Sequence, residues 1–140
     1  MRISCNSEEM DIPLIHSFLT AEAQWAKGIS FSVVEKSIKN SLCFAGFVGS
    51  NQMAFARVVS DYTTFANLVD VFVLQEHRGN GYGKKILEAV FSHEELQGLR
   101  RFTLATSDAH GLYQQFGFTE LAEPQVFMER YEPNVYTVSP

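Results

Sequence analysis

The spacing of apolar residues changes three times along this chain. Behind Asp11, a capping residue, Ile12, Ile15, Phe18 and Leu19 recur at helical intervals with Pro13 in the first turn, so "DIPLIHSFLTAEAQW" predicts a first helix. A second, shorter helix is expected in "SFSVVEKSIKN", capped by Ser30 or Ser32 after Gly28 breaks the chain. From Leu42 the period becomes that of strands: "LCFAGFVG", "QMAFARVVS" and "TFANLVDVFVL", separated by turn-forming "GSNQ" and "SDYTT", predict three successive antiparallel strands. Helical spacing returns in "GKKILEAVFSHEEL", where Ile86, Leu87, Val90 and Phe91 share a face. Beyond it, "RRFTLAT" predicts a strand, "SDAHGLYQQF" a short helix capped by Ser107 or Asp108, and "FTELA" with "VFMERY" a closing strand pair. This order predicts an α/β fold with helices flanking a mixed, mostly antiparallel central sheet.

With 140 residues and no repeat or low-complexity linker, residues 1–132 are expected to form one domain. Two prolines in "YEPNVYTVSP" mark 133–140 as a C-terminal tail. A net charge of −5 argues against nucleic acid or an anionic membrane as partner and favours a small or cationic substrate. Cys5 and Cys43 lie far apart, Cys43 within an apolar run, as suits free thiols in a reducing cytoplasm. No leader-like segment opens the chain, so a cytoplasmic location is expected. His16, His77, His93 and His110 lack metal-ligand spacing, and no metal is expected.

The most informative stretch is "VFVLQEHRGNGYGKK". Gly79, Gly81 and Gly83 stand between a strand and a helix, where one glycine would suffice to turn the chain. Such a turn exposes successive backbone N–H groups at the positive end of a helix dipole, which suits an anion such as phosphate. The order "GNGYGKK" is neither a P-loop nor a dinucleotide fingerprint.

"RGNGYG", from Arg78 to Gly83, resembles the R/Q-x-x-G-x-G/A signature of the GNAT superfamily of N-acetyltransferases, and "YQQFGF", from Tyr113 to Phe118, resembles a second feature of that family. The resemblance covers nearly the whole chain and implies the GNAT fold and acetyl-CoA as co-substrate. It also implies that main-chain N–H groups of Gly79, Asn80, Gly81, Tyr82, Gly83 and Lys84, led in by Arg78, meet the pyrophosphate. Val71, Phe72 and Val73 would offer main-chain groups to the pantetheine arm. Where many relatives carry an asparagine before the tyrosine, this chain has "TSDAHGLY", so Ser107 or Asp108 would have to stand in.

Making an amide from a thioester requires a neutral amine and a proton for the departing thiolate. By resemblance Tyr113 is the candidate proton donor, against the alternative of a ring that only packs. Asp70, inside the apolar run "NLVDVFV", needs either a partner or a function. A turn centred between Thr63 and Thr64 would set Arg57 opposite it, so Asp70 either pairs with Arg57 or serves the acceptor amine as well. Trp25, the only tryptophan, is a candidate for the acceptor side of the cleft or for a lid. The expected activity is therefore acetyl transfer from acetyl-CoA to a primary amine of a small molecule or peptide within a ternary complex. The alternatives are a noncatalytic acyl-CoA sensor of the same fold and an interaction module that binds no cofactor. A homodimer is compatible with either assignment.

Overall fold

A computed structural model of the chain describes residues 1–137. Of the expected 133–140 tail, residues 138–140 lie outside the described residues. Strands β1 (Arg2–Ser4), β2 (Leu42–Val48), β3 (Asn51–Ser60), β4 (Phe65–Val73) and β5 (Arg101–Leu104) form one sheet in sequence order. The first four are antiparallel to their neighbours, and β5 runs parallel to β4. A parallel neighbour requires a crossover, which α3 (Tyr82–Ser92) supplies.

The two faces of the sheet carry different helices. Helix α1 (Ile12–Ala21) starts at Asp11, whose side chain accepts from Leu14 N, and α2 (Phe31–Lys39) starts at Ser30, which accepts from Val33 N. Both lie in the core formed by Ile15, Leu19, Val34, Phe55 and Phe72. On the opposite face α3 buries Ile86, Leu87 and Val90 with Phe44, Met53 and Leu68, and the short α4 (His110–Gln114) adds Tyr113. Buried Gln52 ties the layers, accepting from Asp11 N at 2.8 Å and donating to Ala54 O at 3.2 Å. The β3–β4 turn is closed by Asp61, which accepts from Thr63 N, Thr64 N, Phe65 N and Thr64 Oγ1, and these donors hold its carboxyl well below the usual range.

Three expectations are corrected. The closing strand pair does not form: apart from Phe118, which packs on the α3 core, "FTELA" and "VFMERY" are exposed and the backbone bonds of this stretch are local, such as Val126 N to Glu123 O. Their alternating apolar residues find no adjacent ladder among the described residues. Neither Ser107 nor Asp108 caps α4, because Ala109 is the cap residue and its N–H donates to Thr106 Oγ1. The short strand β1, absent from the sequence reading, extends the sheet beside β2.

Candidate functional site

The apolar alternation of β4 carries a fault at its centre. Phe55 pairs with Phe72 and Arg57 with Val69, so Asp70 and Val71 together oppose the single residue Ala56. Asp70 takes a left-handed backbone, φ +57°, which aspartate tolerates better than most residues. The extra residue reverses the faces: Ala66 and Leu68 join the α3 core, whereas Phe72 joins the α1–α2 core. Arg57 is therefore opposite Val69 and not opposite Asp70, a correction of one position to the expected register.

The bulge also marks where β4 and β5 part. Their parallel pairing runs from Phe65–Arg101 to Leu68–Leu104 and stops there, leaving the β4 stretch 69–73 without a β5 partner. This free edge contains Val71, Phe72 and Val73. Phe72 is buried, stacked on Phe18 with ring centroids 4.0 Å apart, while Val71 and Val73 pack at the margin of the α3 core.

The glycine-rich turn stands just beyond this edge. Arg78 Nε donates to Val73 O at 2.9 Å, tying the turn to the end of β4, and Asn80 Nδ2 donates to His77 O at 3.1 Å. Gly79 and Gly81 have φ of +85° and +76°, and a Cβ at either would meet no atom of the described residues within 4 Å. Gly81 caps α3 without a side-chain hydrogen bond, and Lys85 N is bonded to Gly81 O. The N–H groups of Tyr82, Gly83 and Lys84 in the first turn precede that bond and need an outside partner. Lys84 is exposed at the same mouth. An open, electropositive helix start beside an unpaired strand edge can take an extended ligand with an anionic end.

Tyr113 lies on the same side of the sheet, buried in the α3 core 6.1 Å from the Phe118 ring centroid. Its hydroxyl has no hydrogen-bond partner among the described residues, and burial raises its pKa above the ordinary tyrosine value. It remains a proton donor at neutral pH. The other candidates gather on the α1–α2 face. Trp25, in the turn Gln24–Ala26 between those helices, donates from Nε1 to Asp70 Oδ1 at 2.7 Å. Arg57 Nε donates to Asp70 Oδ2 at 2.9 Å, and its Nη1 donates to Ser41 Oγ at 3.1 Å. Asp70 is only 8% exposed, yet both carboxylate oxygens are engaged. The Trp25 residue is 55% exposed.

Thus the structure places the donor-side candidates on one face and Trp25, Asp70 and Arg57 on the other, with the bulge between them. Ser41, the fourth member of the polar network, was not anticipated, because nothing in "NSLC" distinguishes it from a turn residue. Cys43, paired in register with Arg57, is buried; burial pushes its thiol up to about 12 despite the nearby guanidinium. It cannot supply a thiolate at neutral pH.

Replacing Asp70 by Asn isolates the charge, since asparagine also tolerates the left-handed backbone. Asp70→Asn is expected to lower unfolding stability by about 1–3 kcal/mol, because Arg57 then faces an amide in a largely buried site. Urea unfolding checks the energy, and the emission of Trp25, whose indole loses a charged acceptor, reports the site itself. Parental stability and emission would show that the network does not support the fold.

The profile of the family described as "Acetyltransferase (GNAT) domain" matches residues 18–120. The chain belongs to the GNAT acetyltransferase family. A crystal structure from Xanthomonas campestris pv. campestris assigned to the same family is 55% identical, with a TM-score of 0.96 over 98% of this chain and 96% of that one. The curated protein FG08082 of Gibberella zeae, named provisionally as an acetyltransferase, is 26% identical over 79% of this chain and 74% of its own length. A Clostridium acetobutylicum protein solved with acetyl-CoA shares the fold at 14% identity, with a TM-score of 0.65 over 93% of this chain and 94% of that one. In this GNAT domain the parted strands and the glycine-rich helix start lie side by side. Among the described residues no helix is long and apolar enough to cross a membrane.

Proposed function

We propose that this chain transfers an acetyl group from acetyl-CoA to a primary amine by direct attack within a ternary complex. The observation that carries the proposal is the parting of β4 from β5 after Leu68, directly before the open glycine mouth of α3. A pantetheine arm carries amides that can bond to the free main-chain groups of Val71, Phe72 and Val73 as an added strand would. Its pyrophosphate meets N–H groups at Gly79–Lys84, where the glycines remove obstructing Cβ atoms. The family assignment and the fold shared with an acetyl-CoA-bound protein support this placement.

In the reaction the neutral amine attacks the thioester carbonyl and a carbon–nitrogen bond forms, the amine nitrogen gives up a proton to water, the carbon–sulfur bond breaks, and the departing thiolate takes a proton. Tyr113 is the candidate donor of that proton. The raised pKa of Cys43 favours direct attack over an acetylated-cysteine intermediate. On the acceptor side, Asp70 is the candidate to attract and orient an ammonium group, with Arg57 as its partner and the Trp25 ring beside it. The proposed acceptor is a small molecule or peptide amine, and the proposed setting is the cytoplasm.

Two measurements test this reading. Calorimetry with acetyl-CoA should show saturable binding, and a panel of amines should include one that releases free thiol with formation of its acetyl amide. Absence of binding would remove the donor assignment. Binding without thiol release across the panel would favour an acyl-CoA sensor.

A further inference from the structure

Trp25 is held at the site by a hydrogen bond and not by packing. It is 55% exposed and, among the described residues, belongs to neither hydrophobic core, yet its Nε1 donates to Asp70 Oδ1 at 2.7 Å. A ring so exposed gains little from burial, so the charge-assisted bond to the carboxylate is what fixes the indole. Asp70 itself is buried, and the exposed indole stands between its Oδ1 and solvent.

The backbone under the ring does not share this freedom. Ala23 and Ala26, on either side of Trp25 in the chain, are buried. Ala26 N donates to Ala23 O at 3.2 Å, and Gly28 N donates to Thr20 O at 3.1 Å. Gly28 is left-handed, φ +82°, and a Cβ there would stand 2.7 Å from Tyr136 O. The turn is thus fixed on both sides of Trp25, while the side chain can change rotamer without it, a fast motion for an exposed residue.

Arg57, the other donor to Asp70, is held differently. Its side chain is 17% exposed, its Nε donates to Asp70 Oδ2 at 2.9 Å, and its Nη1 donates to Ser41 Oγ at 3.1 Å. Ser41 Oγ in turn donates to Ser37 O at 2.7 Å. The guanidinium is charged and tethered twice, whereas the indole is neutral and tethered once. An incoming ammonium group carries a full charge and up to three N–H donors, so it can replace the indole on the carboxylate but not the guanidinium.

We propose that Trp25 is a displaceable latch on the acceptor site: in the free protein its indole N–H fills the place at Asp70 Oδ1 that an N–H of the acceptor's ammonium takes, and the acceptor enters by turning the ring aside. This latch presupposes the reading of Asp70 as the anchor of the acceptor amine. It adds what the anchor selects, a primary ammonium with an N–H to give to a carboxylate oxygen, and it excludes quaternary ammonium compounds. The closed latch lowers the acceptor's apparent affinity by the fraction of chains that are open.

Trp25 is the only tryptophan, so the emission of the full chain reports this one ring. Ethylammonium, n-butylammonium and benzylammonium chlorides are titrated into the protein with and without acetyl-CoA, against tetramethylammonium chloride, which has the charge but no N–H. At least one primary ammonium should move the emission to longer wavelength and raise its quenching by acrylamide, both saturably, and tetramethylammonium should do neither. Trp25→Phe keeps a ring and removes the donor. By calorimetry it should bind that same amine about 10-fold more tightly than the parent, with acetyl-CoA affinity unchanged. The latch is overturned if no primary ammonium moves the emission in either condition, or if tetramethylammonium moves it equally. Trp25→Phe binding the amine no more tightly than the parent also overturns it, and weaker binding would make the ring a substrate contact instead. Thiol release is read separately: an emission shift without release strikes the transfer reaction and leaves the latch, whereas release without a shift strikes the latch alone.

Discussion

Tyr113→Phe should lower kcat about 100-fold or more while leaving acetyl-CoA affinity nearly unchanged. The ring sits in the α3 core against Phe118, and phenylalanine keeps that packing. The hydroxyl has no protein partner among the described residues, so its removal orphans no buried donor or acceptor and should cost little stability. Burial raises the phenol pKa above the ordinary value of about 10, so the group stays protonated through the usual assay range. An alkaline fall in kcat well below that value would therefore belong to another group, and Tyr113→Phe should not abolish it. Thiol release under saturating substrates, with a single-turnover measurement to establish that chemistry limits the rate, checks the expectation. An unchanged single-turnover rate would reduce Tyr113 to a packing residue.

The parts of the fold that were legible in the sequence are those where local chemistry and packing agree. Asp11 caps the first helix as expected, Ser30 is the one of the two candidates, Ser30 and Ser32, that caps the second, and Ile86, Leu87 and Val90 face the core as their spacing requires. The three-strand meander was legible because turn residues separate runs of strand period. The ladder fault at Asp70 was not. It depends on one residue adopting a positive φ, and the only local sign is a carboxylate in an apolar run, which pairing with Arg57 by itself accounts for. That single residue reverses the faces of β4 on either side of it and accompanies the parting of β4 from β5. The closing strand pair failed for the opposite reason. "VFMERY" has the alternation of a strand, but alternation states only that one face seeks cover and cannot say which chain provides it.

The candidate site divides in the same way. The glycine-rich turn was legible because its backbone requirement excludes other residue types, and Gly79 and Gly81 do adopt left-handed conformations beside open space. The contact between Trp25 and Asp70 spans 45 positions of sequence, and no local pattern encodes it. It arises because the α1–α2 connection passes over the face to which the bulge turns Asp70. Arg57 reaches the same carboxylate despite the shifted register, because its side chain lies on the face of β3 that also carries Phe55.

Gly81→Val should weaken acetyl-CoA binding by about 100-fold, and a second glycine separates the reasons. Gly81 has φ +76° and Gly98 has φ +73°, and a Cβ at either would meet no atom of the described residues within 4 Å. Valine in that backbone conformation costs on the order of 1–2 kcal/mol at each position, so both variants should lose comparable folding stability. Their surroundings differ. Gly98 lies in the connection before β5, whereas Gly81 is the cap of α3, with the first-turn N–H groups next to it. In the proposed complex the space beside Gly81 belongs to the pyrophosphate, so a branched side chain there both obstructs the anion and disturbs the cap that aims those groups. Gly98→Val should bind acetyl-CoA like the parent. Calorimetry on both folded variants, at a temperature well below either unfolding transition, gives the comparison. If the two bind the donor equally well, the pyrophosphate does not sit at the start of α3, and the donor must approach the parted strands by another route.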